Sequence, residues 1–222
     1  MKKLFAFVLV LLLFSAAIAE YDLSGMTDEE LYELRAAINT ELGERRAELL
    51  SIEEGITIAQ IFPDPWLAKN IRDKLGKFST NDVVTQAELD TITRLSISGN
   101  TTDHIQVISL EGIQYLRNLD SLEIRNQNSV TSIPDWVSSL THLKTLEFSQ
   151  CDIDYLPDFV CDLVSLKSLD MSRTNISALP EDIGNLVNLK SLNISYTNIT
   201  SLPESIYNLN LDKFNRSGLD LD

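Results

Sequence analysis

The fold is decided by residues 166–188, LKSLDMSRTNISALPEDIGNLVN, and by the segment that follows at once, residues 189–211, LKSLNISYTNITSLPESIYNLNL. The two segments align without a gap, and both place apolar residues at the spacing Leu-x-x-Leu-x-(Met/Ile) ahead of a Leu-Pro pair. A proline recurs at this place every 23 residues: Pro134, Pro157, Pro180 and Pro203. The second half of the chain is therefore an internal repeat.

The repeat unit indicates the architecture. Three apolar residues at strand-like spacing precede each proline: Leu119, Leu122, Ile124; Leu143, Leu146, Phe148; Leu166, Leu169, Met171; Leu189, Leu192, Ile194. A period of about 20 to 29 residues with this spacing is typical of leucine-rich repeats, in which each unit adds one strand and one turn to a curved stack. Residues 92–222 are predicted to form about five repeats, the last one incomplete. The predicted fold class is an α/β leucine-rich repeat solenoid with a curved parallel β-sheet, a helical N-terminal cap and a preceding amphipathic helix.

Two departures from the period predict local irregularities. The repeat that contains Pro134 carries one extra residue near Gln127 and Asn128, which predicts a bulge there. An opening repeat lies upstream: Ile92, Leu95, Ile97 and Asn100. Its pattern resumes five residues late at Val107, and this delay predicts an extruded loop at residues 101–105.

Residues 1–19 have the features of a secretory signal. Two lysines precede an apolar run at residues 4–14, and Ala17 and Ala19 supply small side chains for cleavage. The apolar run is shorter than the ~18 residues of a membrane span. The alternative is an uncleaved N-terminal anchor. Cleavage would release a secreted chain without a membrane span, either free or associated with the cell surface.

Residues 20–54 are predicted to form one amphipathic helix. Thr27 to Glu30 make a capping-box pattern, and apolar residues then recur at helical spacing: Leu31, Leu34, Ile38 and Leu42. This length is marginal for a helix on its own. The segment is either a short coiled-coil or docking helix, or a mobile helical stalk.

Residues 55–91 are predicted to form a helical cap. Residues 56–61 have the composition of a strand, Asp64 is placed as the N-cap of a helix with Pro65 at its first position, and Gly76 ends that helix. The apolar face of the helix has three members: Leu67, Ile71 and Leu75. A second capping box starts a further short helix: Thr85, Gln86, Ala87 and Glu88.

One column of the repeat is expected to point inward at the turn after each strand. Its small polar or thiol side chains would hydrogen-bond backbone groups that are otherwise buried without a partner. The column has four members: Asn100, Cys151, Thr174 and Thr197. Cys151 has two interpretations, a disulfide with Cys161 in a secreted chain, or packing as a small apolar side chain.

Composition excludes several functions. The net charge of -15 argues against duplex nucleic acid as the partner, because that binding requires clustered Lys and Arg. The two histidines, His104 and His142, are placed in turns, and no Gly-rich phosphate loop or metal-spaced His/Cys cluster occurs. We therefore expect no enzymatic activity, no cofactor and no bound metal.

The outward side chains of the strands define the concave surface, here called the strand face. Eight of its residues are predicted to contact a partner: Glu123, Arg125, Glu147, Gln150, Asp170, Arg173, Asn193 and Tyr196. Three carboxylates, Glu123, Glu147 and Asp170, would form a ladder of like charges about 4.8 Å apart, which some cation must offset. The candidates are a row of lysines alongside, Lys144, Lys167 and Lys190; a basic patch on a protein partner; or Ca²⁺.

The chain resembles the internalins, secreted leucine-rich repeat proteins of Gram-positive bacteria, over about residues 55–125. The resemblance rests on blocks that agree in order and spacing: Gln60-Ile61-Phe62 with Asp64, Leu67-Ala68, Leu75-Gly76-Lys77, Asp82 with Val84-Thr85-Gln86, Leu89-Asp90, and Leu110 to Leu116 followed by Asn118-Leu119. It implies that the cap seals the apolar end of the stack and that the strand face binds a host surface protein. The chain departs from that family in three ways. Its repeats have Leu-Pro turns, it lacks an immunoglobulin-like or wall-attachment module, and residues 20–54 lie outside the resemblance. Fold and secretion are therefore carried over, and host binding is not.

These observations predict a secreted, non-enzymatic module that binds a protein through its strand face. The alternative is a structural or self-associating cell-envelope protein, which would assemble through the N-terminal helix or through the last repeat. That repeat stops at Asp222 without a recognisable cap. Three interpretations are open: the chain is truncated, Asp220 and Asp222 shield the last apolar face, or a second copy covers that face.

Overall fold

Residues 56–99 and 106–220 are described by the computed structural model. Several expectations concern residues outside these ranges: the signal at residues 1–19, the amphipathic helix at residues 20–54, Asn100, the loop at residues 101–105 with His104, and Asp222. In the two described ranges, none of the helices has the length and apolar character needed to cross a membrane.

The cap combines a strand pair with three helices. The elements are β1 (Ile56–Thr57), α1 (Ile58–Ile61), α2 (Pro65–Lys74), β2 (Val83–Val84) and α3 (Gln86–Leu89). Strands β1 and β2 pair in antiparallel fashion. The strand predicted for residues 56–61 is wrong beyond Thr57, because the Gln60 side chain folds back and accepts a hydrogen bond from the Thr57 N–H at 2.9 Å. This contact closes a helical turn instead of extending the strand.

The two predicted helix starts in the cap are confirmed. Asp64 caps α2, with Oδ1 accepting the N–H groups of Trp66 and Leu67 at 2.9 Å each. Thr85 and Glu88 form the capping box of α3, in which the Glu88 carboxylate accepts the Thr85 N–H at 2.8 Å. Both caps satisfy backbone donors that a helix leaves without partners in its first turn.

Asp64 also joins the cap to the repeats. Its second oxygen, Oδ2, accepts the backbone N–H of Ile108 at 2.8 Å, 44 positions along the chain. The residue is 1% exposed, so the carboxylate that accepts all three hydrogen bonds is shielded from water. A single carboxylate thus fixes both the start of α2 and the position of α2 against the first turn of the stack.

Gly112 lies at a close approach between the cap and the stack. Its φ of 101° lies in the left-handed region, and a Cβ atom at this position would lie 2.5 Å from the Ile61 carbonyl oxygen and 2.5 Å from the Phe62 ring. Only glycine has the conformational freedom and the absence of a side chain that this position requires.

The repeats form one six-stranded parallel sheet. After β3 (Arg94–Ser98) come β4 (Ser121–Gln127), β5 (Thr145–Cys151), β6 (Ser168–Asp170), β7 (Ser191–Asn193) and β8 (Lys213–Asn215), in chain order across the sheet. Short 3-10 helices lie on the return segments: Ile113–Tyr115, Asp135–Ser139, Asp158–Asp162, Ile183–Asn185 and Glu204–Asn208. One strand and one tight turn per repeat is the architecture of a leucine-rich repeat solenoid, as the period predicts.

The core is the stack of the leucine columns. One column places five strand residues in direct register: Leu95, Leu122, Leu146, Leu169 and Leu192. All five are completely buried, as is Phe148 in the neighbouring column. Because each repeat contributes the same residues at the same places, burial in one repeat is completed only by the repeats on either side.

The inward polar column is confirmed for Cys151, Thr174 and Thr197, and it gains a member. Thr174 Oγ1 donates to the Met171 carbonyl at 2.6 Å, and Thr197 Oγ1 donates to the Ile194 carbonyl at 2.9 Å. Gln127, which the repeat pattern did not place in this column, lies in register with Cys151 and is completely buried. Its Oε1 accepts the Val107 N–H at 2.7 Å, so the longer side chain reaches the preceding turn.

The extra residue in the repeat of Gln127 forms a turn. Strand β4 continues through Gln127, and the Val130 N–H then donates to the Gln127 carbonyl at 3.0 Å. Ser129 Oγ, inside this turn, donates to the Val107 carbonyl at 2.6 Å. The predicted irregularity is therefore in the right place, but it follows the strand instead of bulging from it.

Both cysteines are free and buried. Of the two interpretations, the structure has the thiols packed as small side chains, and Cys151 Sγ lies 3.6 Å from the Ile124 carbonyl oxygen. Burial raises the pKa of Cys151 to about 11 and that of Cys161 to about 12. A thiol in such surroundings stays protonated and is a poor nucleophile at neutral pH.

Candidate partner-binding site

The predicted ladder of outward residues is present on the strand face. In register across the sheet lie Ser96, Glu123, Glu147, Asp170, Asn193 and Asn215. Parallel pairing holds neighbours in such a row about 4.8 Å apart. The three carboxylates are therefore adjacent, and the charge problem that the sequence raised is real.

Arg125 offsets the carboxylates of the ladder. Its Nε and Nη2 donate to the two oxygens of Glu147 at 2.5 and 2.6 Å, and Nη2 lies 3.0 Å from Glu123 Oε2. The hydrogen bond to Glu147 raises the pKa of Arg125 further above its ordinary value. A two-pronged contact of this kind is the strongest geometry for an arginine and a carboxylate.

The lysine row does not neutralise the carboxylates of the ladder. Lys144 pairs with Asp120 at 2.9 Å, and Lys190 Nζ donates to the Asn210 carbonyl at 3.1 Å. These lysines stand at the N-terminal ends of the strands, one residue before the first outward position, and find partners along that edge. The expectation that they neutralise the carboxylates is therefore replaced by the contacts of Arg125.

Asp170 is satisfied by neutral donors. Its Oδ1 accepts the N–H and the hydroxyl of Ser172 at 2.9 and 2.6 Å, and its Oδ2 accepts Nδ2 of Asn193 at 2.8 Å. The same link to a serine two positions later recurs at Glu147 with Ser149. Ser149 and Ser172 are buried beside the carboxylates to which they donate.

Metal binding finds no support in the described part of the chain. Glu123 and Glu147 share Arg125, and the two oxygens of Asp170 are occupied by hydrogen bonds. Within residues 56–99 and 106–220, no group of three or more His, Cys, Asp or Glu side chains is arranged to hold an ion.

A row of strained turn residues borders the ladder at the C-terminal ends of the strands. This turn row consists of Asn126, Gln150, Arg173 and Tyr196, with φ between 53° and 57°, and is continued by Gly218 at 77°. A left-handed conformation costs roughly 1–2 kcal/mol for a residue other than glycine. The conformation is maintained by the next repeat, since the N–H groups of Gln150, Arg173 and Tyr196 donate to carbonyls of the neighbouring strand segment.

Arg173 and Tyr196 stack on one another in the turn row. The guanidinium carbon of Arg173 lies 4.5 Å from the centre of the Tyr196 ring. A Cβ atom on Gly218 would lie 2.7 Å from the ring, so the backbone of Gly218 lies directly against the tyrosine. The ring is held in place but remains 54% exposed. It is a fixed, accessible aromatic surface with a cation attached.

The eight predicted residues fall into three groups and one isolated member. Arg125 joins Glu123 and Glu147 in one hydrogen-bonded group, and Asp170 and Asn193 form a second. Arg173 and Tyr196 form the stack, and Gln150 lies in the turn row next to it. Sequence reasoning missed the left-handed backbone of the turn row, although Gly218 at the equivalent position was a signal for it.

Two shallow depressions lie outside the ladder. One, of about 260 Å³, lies between α2 and the end of β3 and includes Trp66 and Asn70. The other, of about 290 Å³, lies at the N-terminal edge of the sheet and includes His142 and Lys144. Neither resembles the enclosed pocket of a small-molecule site.

Comparison with known proteins identifies the two parts of the chain separately. Residues 46–90 match the family described as the N-terminal region of bacterial adhesion/invasion proteins of the internalin type. Residues 158–211 match a leucine-rich repeat region, and a further leucine-rich repeat family matches residues 73–174.

Individual relatives come from Listeria monocytogenes. Internalin H is 47% identical over 88 residues, which are 40% of this chain and 15% of internalin H. Internalin C is 36% identical over 74 residues, 33% of this chain and 23% of internalin C. The matched segments thus span less than a quarter of either relative.

Solved structures give the same result for the fold. The crystal structure of an internalin (inlF) from Listeria monocytogenes superposes with a TM-score of 0.52 at 30% identity, over 67% of this chain and 51% of that one. An internalin C2 from the same species gives 0.51 at 26% identity, over 69% and 79%. With the repeat period and the six-stranded sheet, these likenesses show that the chain has the leucine-rich repeat fold and that its N-terminal cap is similar to that of the internalins.

Proposed function

We propose that the protein is a secreted, non-enzymatic interaction module whose strand face binds another protein. The observation that carries this proposal is the Arg173–Tyr196 stack, because a half-exposed tyrosine fixed in one orientation loses little entropy on binding. Tyrosine and arginine are also the residue types that dominate interface energetics. The signal-like residues 1–19 support secretion, and the internalin-like cap supports a role in protein binding, which is general for repeat solenoids.

The absence of catalysis in this proposal rests on the chemistry of the side chains that could act. His142 lies in an open depression. The thiol of Cys151 is buried and has a pKa of about 11, which leaves it without nucleophilic character at neutral pH. A rigid, hydrogen-bonded strand face suits recognition, in which side chains must be held in place before the partner arrives.

Photo-crosslinking tests the proposed face. A photoreactive phenylalanine analogue replaces Tyr196 in one variant and Tyr207 in a control, since Tyr207 is 83% exposed on the opposite, turn side of the stack. We expect a specific protein adduct from position 196 only, identified by mass spectrometry. Equal adducts from both positions would place the binding surface elsewhere.

Affinity measurements with the purified partner complete the test. Arg173→Ala combined with Tyr196→Ala is expected to weaken binding at least about tenfold without lowering the melting temperature, because both side chains are exposed. The matched control is Arg117→Ala with Tyr155→Ala, which removes the same chemical groups from the turn side and should leave the affinity unchanged. Undiminished binding by the Arg173/Tyr196 variant would refute the proposal.

Self-association is the second candidate function, and strand β8 is the observation that favours it. All three residues of β8 are exposed, the Phe214 side chain to 36%, and the guanidinium of Arg216 lies 5.7 Å from the centre of the Phe214 ring. Unpaired strand edges are templates for pairing with another chain. Light scattering over a range of protein concentrations distinguishes the two functions, since a monomer at all concentrations excludes assembly through β8.

A further inference from the structure

The charged side chains of the repeats are sorted between two surfaces. Among residues 106–220, every basic residue except Arg117 and Arg216 lies on the strand face or at its edges: Arg125, Lys144, Lys167, Arg173, Lys190 and Lys213. Most acidic residues lie on the turns and return segments: Glu111, Asp135, Asp152, Asp154, Asp158, Asp162, Glu181, Asp182, Glu204 and Asp220. Within residues 106–220, the excess of acidic over basic side chains therefore lies on the back of the stack and not on its strand face.

Ion pairing divides the strand face into two halves. On β4 and β5 the cations are occupied, Arg125 by Glu123 and Glu147, and Lys144 by Asp120. On β6 to β8 the described residues contain no carboxylate within ion-pair distance of the four cations: Lys167, Arg173, Lys190 and Lys213. Two acids lie there, Asp170 and Asp212, and Asp170 is already satisfied by Ser172 and Asn193. The half formed by β6 to β8 thus carries a net positive charge.

The stack gives this half a directional anion site. The guanidinium carbon of Arg173 lies over the Tyr196 ring, and among the described residues no side-chain or backbone acceptor is hydrogen-bonded to this guanidinium, so its N–H groups are available to donate. A planar fork of this kind matches the two oxygens of a carboxylate. The exposed part of the tyrosine ring lies beside it and offers contact area to a neighbouring apolar side chain.

We propose that the half of the strand face formed by β6 to β8, with Lys167, Lys190, Lys213 and the Arg173–Tyr196 stack, is a docking surface for an acidic segment of a protein partner. This inference rests on the proposed function and specifies the partner's charge. It reverses the expectation of a basic patch, because the carboxylates that suggested such a patch are engaged by Arg125, Ser172 and Asn193. A short protein segment fits better than a continuous polyanion, since a phosphate backbone that continued across the sheet would meet the carboxylates of Glu123 and Glu147 on β4 and β5.

Peptide probes test the sign of the charge. Fluorescent peptides that alternate Glu and Leu, Lys and Leu, or Gln and Leu are titrated into the full chain, and backbone amide shifts locate the contact. The Glu/Leu peptide should bind with shifts confined to β6, β7, β8 and the adjoining turn row, and added salt should weaken it. Tighter binding of the Lys/Leu peptide would overturn the inference.

A charge-reversal pair provides the matched control. Lys167→Glu with Lys190→Glu should weaken the Glu/Leu peptide about tenfold or more, since two direct contacts become repulsive. Lys69→Glu with Arg117→Glu makes the same change in net charge away from this surface and should weaken it less than about threefold, because charges beyond a Debye length are screened. Equal effects in the two variants would show that only the overall charge matters and would refute the docking surface.

The same experiments distinguish an acidic protein segment from other molecules that could occupy this half of the strand face. Anionic lipid vesicles or a duplex DNA fragment that bind as tightly as the Glu/Leu peptide, at the same shifts, would make this half a general polyanion site and overturn the proposal. Self-association abolished by the Lys167/Lys190 reversal would show instead that the acidic turn side of a second copy binds there. If the partner crosslinked at position 196 docks through a basic region, the proposed function stands and this inference fails.

Discussion

Replacing Asp64 should loosen the cap from the repeats, and the loss can be divided between its two contacts. In Asp64→Ala the N–H groups of Trp66, Leu67 and Ile108 all lose their acceptor. Loss of an N-cap costs about 0.5–2 kcal/mol. Loss of a hydrogen bond to a charged group costs about 1.5–3 kcal/mol. We therefore expect Asp64→Ala to lower the free energy of unfolding by about 3 kcal/mol, near the middle of the combined range.

Asp64→Ser separates the two contributions. Serine is a good N-cap and can still accept from the first turn of α2, but its hydroxyl is too short to reach Ile108 as well. This variant should recover about 1 kcal/mol relative to Asp64→Ala, the typical contribution of a cap. The remaining deficit then measures the link between cap and stack.

Urea denaturation and hydrogen exchange together provide the assay. The loss of about 3 kcal/mol corresponds to a fall in melting temperature of about 6–12 °C for a chain of this size. The amide of Ile108 should exchange faster in both variants, whereas the amide of Leu67 should exchange faster only in Asp64→Ala. Equal stability of the Ala and Ser variants, with unchanged exchange at Ile108, would refute the claim that Asp64 bridges cap and stack.

Three further perturbations test the site and the packing. Arg125→Ala should lower the free energy of unfolding, measured in urea, by about 1–2 kcal/mol, because the ladder carboxylates then repel one another without a cation between them. Glu147→Gln in the same chain should restore part of the loss. No recovery would mean that Arg125 contributes only packing. Gly112→Ala should lower the free energy of unfolding by well over about 1 kcal/mol, since its Cβ would overlap Ile61. The control is Gly76→Ala, which should cost only about 1 kcal/mol, because Gly76 has a φ of 65° but open space around it. Equal losses in urea would contradict the close approach at Gly112. For Cys151 the folded chain holds the thiol proton more tightly than the unfolded chain, so its contribution to stability is full below the ordinary pKa of 9.0 and is lost as pH rises toward about 11; iodoacetamide should accordingly label it only after unfolding at pH 8.

Much of the candidate site follows from the repeat itself. Because side chains alternate between the two faces of a strand, the leucine spacing alone assigns Glu123, Glu147 and Asp170 to one outward row. The parallel register confirms that row. The same logic placed Thr174 and Thr197 inside, where they bond to carbonyls of their own turns.

The parts that sequence reasoning missed depend on distances between repeats. Gln127 is longer than the side chains expected in the inward column, and only the nearness of Val107 shows why an amide of that length fits there. The lysine row and Arg125 carry the same charge, and only side-chain reach decides which of them meets the carboxylates. The left-handed turn row is likewise maintained by carbonyls of the following repeat.

The period, the strand register, the capped helices and the two faces of the sheet can all be predicted from the sequence, because each follows from local spacing and from backbone groups a few residues apart. The tertiary structure decided which charges are free. Arg125 and Glu147 are 22 residues apart in sequence and meet only because parallel strands place them side by side. Two charged side chains form an ion pair only when they lie within a few ångströms of each other, and stacking of the repeats sets that distance. An acidic chain thereby acquires a strand face on which Lys167, Arg173 and Lys213 have no carboxylate partner among the described residues.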